Sequence, residues 1–326
     1  MIISETPVRV SFFGGGTDYP EYFVDHGGAV LGTTIDKFAY LSVTQFYSRL
    51  FDYKIRLAYR KVESVNSLEE IQHAPFRECL RQCGISENIE VAYTAELPSF
   101  SGLGSSSTFV VGVLNALHSF LGHHLSPMDL AYQSIHLERD VLHEAVGCQD
   151  QVFAAAGGFN LIEFRKLDDI VVHKVSLSSA RRQELESHLM LLYTGIQRRA
   201  QEVAARQIGK IPQNRDRLAK MRLMVDRAHA ILTGSGSLTG FGDLLHESWC
   251  LKAELDETVA SEPIREIYRL GREAGALGGK LLGAGGGGFM LFFVPPDRRQ
   301  AVHNLLPGLE EIPISLDSPG SRIIHG

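Results

Sequence analysis

The sequence predicts an α+β chain of two domains, and three observations carry that prediction. At 326 residues it exceeds what a single hydrophobic core usually serves. Strand patterns of period two and helix patterns of period 3.6 follow one another along its first part. Near residues 176–182 the composition turns more charged and more helical, which divides the chain into 1–178 and 179–326.

Hydrophobic residues make up 44% and charged residues 21%, the balance of a soluble globular protein. The net charge of -6 gives no electrostatic reason to expect nucleic acid or an anionic membrane as a partner, so an anionic substrate would need cations placed locally. No basic segment leads into an apolar one at the start, and apolar runs such as 289–294 are too short to cross a bilayer; a cytoplasmic location is expected. Cys79, Cys83, Cys148 and Cys250 are too few for a disulfide framework and read as reduced thiols.

Taken in order, Val8, Val10 and Phe12 alternate with Arg9 and Ser11 in a strand that stops at Gly14, Gly15 and Gly16 and then presents Thr17 and Asp18. A full charge at Arg9 on so apolar a strand calls for an anionic partner. Residues 38–46 and 54–59 read as further strands and 67–83 as a helix. In 89–95 the residues Ile89, Val91, Tyr93 and Ala95 share one face of a strand, and Pro98 ends it, having no N–H to give a ladder.

Behind Pro98 comes the loop Ser101, Gly102, Leu103, Gly104, Ser105, Ser106, Ser107. Val110, Val113, Leu114, Leu117 and Leu121 then mark a helix beginning near Ser105. A glycine loop that opens a helix brings backbone N–H groups and the positive end of the helix dipole to one point, where a phosphate fits. No Gly-Lys-Ser/Thr follows, so the loop is not a Walker A motif, and the third glycine of a dinucleotide fingerprint is absent. A serine-capped helix after a flexible turn is the alternative.

Ser126 and Pro127 start a helix that the pattern carries to about Val146, with Glu138 on the stripe of Ala131, Ile135, Val141, Leu142 and Ala145. A carboxylate there must be paired, with Arg139 for example, or bind a metal. No second His stands four residues beyond His143, which excludes a zinc helix of the His-Glu-x-x-His type. Asp150 either caps a short helix or faces a substrate.

Residues 159–164 and 170–175 form a strand pair before the boundary. Beyond it, 189–193 is a buried strand, three or four helices follow, and 278–288 is dominated by glycine before the strand 289–294 stops at Pro295 and Pro296. So many glycines cost backbone entropy and pack nothing, which implies that something approaches the backbone closely.

Three separated motifs now stand in order: Pro7-Val8-Arg9-Val10 with 14–18, the Pro-x3-Gly-Leu-Gly-Ser-Ser loop at 98–106, and the glycines at 283–288. Together they resemble the motifs of the kinases named for galactokinase, homoserine kinase, mevalonate kinase and phosphomevalonate kinase, the GHMP superfamily, over nearly the whole chain. Within it, Phe-Phe-Gly-Gly-Gly-Thr-Asp-Tyr-Pro and Gly-Gly-Lys-Leu-Leu-Gly-Ala-Gly-Gly-Gly-Gly-Phe are similar to the D-glycero-D-manno-heptose 7-phosphate kinases. The resemblance implies an N-terminal α/β two-layer domain, a C-terminal ferredoxin-like domain, a site between them, and ATP with Mg²⁺.

Carried over by residue, the resemblance assigns Pro98 and 101–107 to the nucleotide, with Ser106 and Glu138 on the magnesium ion. Asp150, paired with Arg9, stands beside the acceptor hydroxyl, and Gly15, Gly16, Thr17, Asp18, Gly285 and Gly286 lie toward the substrate. Asp150 follows Gly-Cys-Gln, where many relatives carry Pro-Ser-Gly shortly before this Asp, so the shape of that loop differs. A phosphorylated sugar would need its own cations, for which Arg198 and Arg199, then Lys54 or Arg56, are the candidates. The implied reaction is phosphorylation of the anomeric hydroxyl of the heptose 7-phosphate. A kinase for an unphosphorylated fucose- or galactose-like sugar, or a catalytically silent nucleotide-binding regulator, are the alternatives.

Overall fold

Apolar alternation in the first part of the chain builds the larger sheet of the computed structural model, which describes residues 1–99, 101–196 and 200–326. Its strands are β1 (Ile2–Phe13), β2 (Gly28–Gln45), β3 (Ile55–Ala58), β4 (Val62–Val65), β5 (Ile89–Ala95), β6 (Phe159–Lys166) and β7 (Asp169–Lys174). β2 runs antiparallel to β1; its first part, 28–33, also pairs with β6, and its second, 39–45, with β5. β3 lies parallel to β5 and carries β4 at the edge.

The second sheet consists of β8 (Leu189–Tyr193), β9 (Gly278–Leu281), β10 (Phe289–Phe293) and β11 (Glu310–Ile312), in the order β11-β8-β10-β9 and wholly antiparallel. With its intervening helices this is the ferredoxin-like arrangement. The final strand, β12 (Arg322–His325), crosses back to pair with β1 in the first sheet.

In the first sheet's layer lie α1 (Pro20–His26), α2 (Ala74–Gln82), α3 (Ser105–Phe120), α4 (Pro127–His136) and α5 (Gln149–Ala156). Phe76, Val113, Leu114, Leu130 and Phe153 of these helices share a buried core with Val43, Ile55, Leu57 and Val91 of the strands. Next to the division proposed at 178/179 comes α6 (Ser179–His188), then α7 (Ala200–Gly209), α8 (Arg215–Thr233), α9 (Thr239–Ala253), α10 (Glu262–Glu273) and α11 (Arg299–Leu305). Val8, Val10 and Phe12 on β1 pack with Val225 of α8, Phe241 of α9 and Leu191 of β8 in a core common to both halves. Each fully buried side chain of this size contributes about 1.5–3 kcal/mol, so the cleft between the halves has fixed walls.

Several elements depart from the sequence reading. The helix expected over 67–83 is confined to α2, preceded by a 3₁₀ turn at Leu68–Glu70. Pro75 accounts for this, since it sits in the helix's first turn and cannot donate further inside. The helix expected to reach Val146 stops at His136, continues as a π turn over Leu137–Val141, and is broken at His143 by a positive φ of 54°. β2 begins ten residues before the predicted 38, because 28–35 are buried on both faces and show little alternation. The first glycines of 278–288 form a strand, β9, held in register by β10.

Candidate active site

Positive φ angles of 80° at Gly102 and 79° at Gly104 fold the loop ahead of α3 into a shape that residues with a Cβ rarely adopt. Gly104 is the N-cap and no side chain caps the helix. The first intrahelical bond runs from Thr108 N to Gly104 O, so the amides of Ser105, Ser106 and Ser107 precede the ladder and face outward along the dipole. Pro98 is exposed on the approach, whereas Leu103 and Ser101 are buried. A Cβ on Gly102 would stand 2.5 Å from Leu282 O, and Phe289 N donates to Ser101 O at 3.0 Å. The two glycine loops of the sequence are therefore in backbone contact.

Arg9 meets the first loop from the sheet. Its backbone N donates to Leu103 O at 3.0 Å and its Nη1 to Gly102 O at 2.8 Å. Nε and Nη2 grip Asp150 Oδ1 and Oδ2, both at 2.8 Å, in a two-point charge-assisted pair. Asp150 lies in the first turn of α5, whose N-cap is Cys148, so the carboxylate is not a helix cap. The anion that Arg9 demanded is thus Asp150, with Gly104 alongside: a Cβ there would lie 3.2 Å from Asp150 Oδ2.

Glu138 is wholly buried in the π turn after α4. Ser107 Oγ donates to its Oε2 at 2.8 Å and Gln151 Nε2 at 2.5 Å, while Oε1 has no hydrogen-bond partner among the described residues. Arg139, the salt-bridge alternative, turns away to Glu21. Burial pushes the Glu138 carboxyl up to about 8, and Glu144 and Asp150 push the same way against the pull of the Ser107 and Gln151 bonds. The hydroxyl that reaches Glu138 belongs to Ser107, one residue past the Ser106 assigned from sequence, which is exposed. No cluster of three or more His, Cys, Asp or Glu side chains stands ready for a metal among the described residues.

Gly15 and Gly16 lie beside this cleft. Gly16 takes a φ of 101°, its N donates to Asp18 Oδ1 at 2.9 Å, and Thr17 Oγ1 donates to Gly14 O at 2.8 Å and Ala29 O at 3.0 Å. Asp18 is buried and also accepts from Gln149 N at 3.4 Å. Burial raises its carboxyl above the ordinary range, and the Asp150 charge adds to that. Of the second glycine loop, Gly283 touches Gly102, while Gly285 and Gly286 rest on Val259, whose O accepts from Gly286 N at 3.0 Å. Arg198 and Arg199 lie outside the described residues. Lys54 and Arg56 have their own carboxylates, Glu87 and Glu90, and Arg56 lies on β3, next to the β4 edge of the first sheet.

Four residues of this region were not singled out from sequence as site candidates beyond their motifs: Gln151, Lys252, Lys280, and Ser107 as the partner of Glu138. Lys252 carried a legible signal, since it continues the buried face of Leu245, Ser248 and Trp249 on α9 where an apolar residue belongs.

Two carboxylates and an arginine at a glycine loop that opens a helix, between an α/β layer and a ferredoxin-like layer, define a small-molecule kinase. Family models agree: GHMP kinases N terminal domain matches residues 71–158 and GHMP kinases C terminal matches 228–306. The chain belongs to the GHMP kinase family and is an ATP-dependent phosphotransferase. It is 29% identical to the D-glycero-alpha-D-manno-heptose 7-phosphate kinase of Campylobacter jejuni over 95% of this chain and 93% of that one. It is 28% identical to the mevalonate kinase of Pyrococcus horikoshii over 65% of this chain and 61% of that one. The crystal structure of a D-glycero-D-manno-heptose 1-phosphate kinase from Bacteroides thetaiotaomicron shares the fold with a TM-score of 0.82, at 24% identity over 100% of this chain and 99% of that one.

Proposed function

We propose that the chain transfers the γ-phosphoryl group of ATP, with Mg²⁺, to the anomeric hydroxyl of D-glycero-D-manno-heptose 7-phosphate. The product would be heptose 1,7-bisphosphate, serving nucleotide-activated heptose for surface polysaccharide, and the enzyme would work in the cytoplasm. The observation that carries the reading is the Arg9–Asp150 pair set against Gly102 and Gly104. The heptose assignment draws on the Campylobacter relative, and no helix of the described residues is long and apolar enough to cross a membrane.

Phosphoryl transfer asks the protein for position and charge neutralisation rather than covalent chemistry. The free amides of 105–107 would hold the phosphates. The unpartnered Glu138 Oε1, in a buried setting that disfavours a lone carboxylate, fits Mg²⁺, and the hydroxyl of Ser107 or Ser106 would accompany it. When bound, the ion would neutralise charge on the phosphates. Asp150, oriented by Arg9, would hold the acceptor hydroxyl in line and receive its proton. Asp18 and the Gly15–Gly16 backbone would take the sugar's hydroxyls.

A free sugar as acceptor is the second reading, favoured by the L-fucokinase/L-fucose-1-P guanylyltransferase of Bacteroides fragilis, 26% identical over 93% of this chain and 35% of that one. Steady-state turnover on the heptose 7-phosphate, the free heptose, L-fucose and D-galactose separates the two. Preference for the phosphorylated heptose supports the first, and equal or better turnover of a free sugar removes it.

A further inference from the structure

Charge accounting around the cleft leaves two cations without a carboxylate among the described residues, Lys252 and Lys280. Lys280 is turned into the first half, its Nζ donating to Ser11 O at 2.8 Å and Phe12 O at 2.9 Å. Arg9 is neutralised by Asp150 at 2.8 Å. Lys252, on α9 of the second half, is 5% exposed, and among the described residues no carboxylate lies within ion-pair distance of it. Its Nζ donates to Gly283 O at 2.5 Å and to Leu281 O at 3.3 Å. An ammonium has three N–H groups, so these two carbonyls leave one unused.

A buried charge without a counter-charge is expensive, and two buried cations side by side more so. Burial pushes Lys252 from 10.5 down to about 8 and the neighbouring Arg9 pushes it further, with Asp18 and Asp150 acting in the opposite sense. Replacing Lys252 by an apolar residue would relieve that cost, so the charge needs a purpose outside the folded chain.

The position supplies one. Gly283, whose carbonyl Lys252 holds, stands against Gly102, where a Cβ on Gly283 would meet Gly102 Cα at 2.6 Å. Arg9 donates to the carbonyl of that same Gly102 at 2.8 Å. Arg9 and Lys252 therefore bracket the junction of the glycine loops from the two halves of the chain.

We infer that Lys252 is an anion-binding residue of the site, its third N–H and its charge directed to a phosphoryl oxygen brought into the cleft. This rests on the kinase reading above and adds to it. A phosphoryl oxygen has two possible sources: the γ-phosphate of the nucleotide, or the phosphate of a phosphorylated acceptor.

The test uses the full chain with Lys252→Met and Lys252→Arg. Calorimetry with Mg²⁺ measures AMP-PNP against ADP and needs no acceptor, so it stands apart from the choice of sugar. Steady-state kinetics compares heptose 7-phosphate with free heptose. If the γ-phosphate is the ligand, Lys252→Met weakens AMP-PNP at least tenfold while ADP changes less than threefold. If the acceptor phosphate is the ligand, KM for the phosphorylated heptose rises at least tenfold and that for the free heptose holds. In either case Lys252→Arg recovers part of the loss. Should Lys252→Met lower the thermal midpoint so far that it cannot be assayed, Lys252→Gln, which keeps a donor without the charge, is read in the same way. Equal weakening of all four ligands, or no change in any, overturns the inference.

Discussion

Arg9 holds Asp150 through two parallel bonds of 2.8 Å and spends its remaining terminal nitrogen on Gly102 O, so one side chain fixes both the acceptor-side carboxylate and the phosphate loop. A lysine keeps the charge but cannot make the fork. Arg9→Lys should therefore lower kcat by about 10- to 100-fold, and Asp150→Asn by about 10²- to 10⁴-fold, with melting temperatures near the parent's. Steady-state kinetics with thermal melts checks both. Unchanged kcat in Asp150→Asn would remove the carboxylate from the reaction.

Ser107 and Ser106 separate cleanly by geometry. The Ser107 hydroxyl is buried on Glu138 Oε2 at 2.8 Å, while Ser106 is exposed. Ser107→Ala should raise the Mg²⁺ concentration needed for half-maximal turnover by about 10- to 100-fold, as loss of a group that orients a metal ligand does. A greater effect of Ser106→Ala in the same titration would make the exposed hydroxyl the ligand and Ser107 a support.

The pH dependence of stability follows from Glu138. Its carboxyl is raised from 4.5 to about 8 in the folded chain, chiefly by burial. Between those values the folded state holds a proton that the unfolded state has lost, so this group's contribution is full below about 4.5 and falls away as pH rises toward 8. Without divalent cation the melting temperature should decline across that window. Glu138→Gln should flatten the decline, and Mg²⁺ with nucleotide should reverse it. Identical melting curves for parent and variant across the window would show that the carboxyl titrates normally.

How much of this was legible in the sequence depends on what each feature required. Arg9 and Glu138 announced themselves because a charge on an apolar stripe needs a partner, and periodicity alone locates such a charge. The partner itself is invisible at that level: Asp150 is 141 residues from Arg9 and meets it only once α5 lies across β1. Which of the serines 105–107 meets Glu138 is invisible for a related reason, since three adjacent hydroxyls have one composition but point in three directions on a helix. Lys252 obeyed the rule that exposed Glu138, yet a lysine on a stripe is easily taken for one that snorkels to the surface. The π turn after α4 left no signal that helical propensity would register, because 137–141 contain no Gly or Pro to break a helix.

Gly147 provides the sharpest steric prediction. A Cβ there would stand 1.9 Å from Asp18 Oδ2, so Gly147→Ala must displace the carboxylate that Gly16 N and Gln149 N now fix. Overpacking of this kind costs about 1–3 kcal/mol and moves the group rather than removing it. Gly15→Ala is the matched control, since its nearest neighbours, Gln149 Nε2 and Ser11 Oγ, would be 3.7 and 3.9 Å from the new methyl and the fold has room for it. Both variants should bind AMP-PNP as the parent does, because neither residue belongs to the loop at α3. Gly147→Ala should raise the acceptor KM about tenfold or more and lose stability, whereas Gly15→Ala should keep its melting temperature and raise the KM only where a bound sugar occupies the space above Gly15. Isothermal calorimetry for the nucleotide and initial rates for the acceptor distinguish the two, and a Gly147→Ala variant with parental acceptor KM would take Asp18 out of substrate binding.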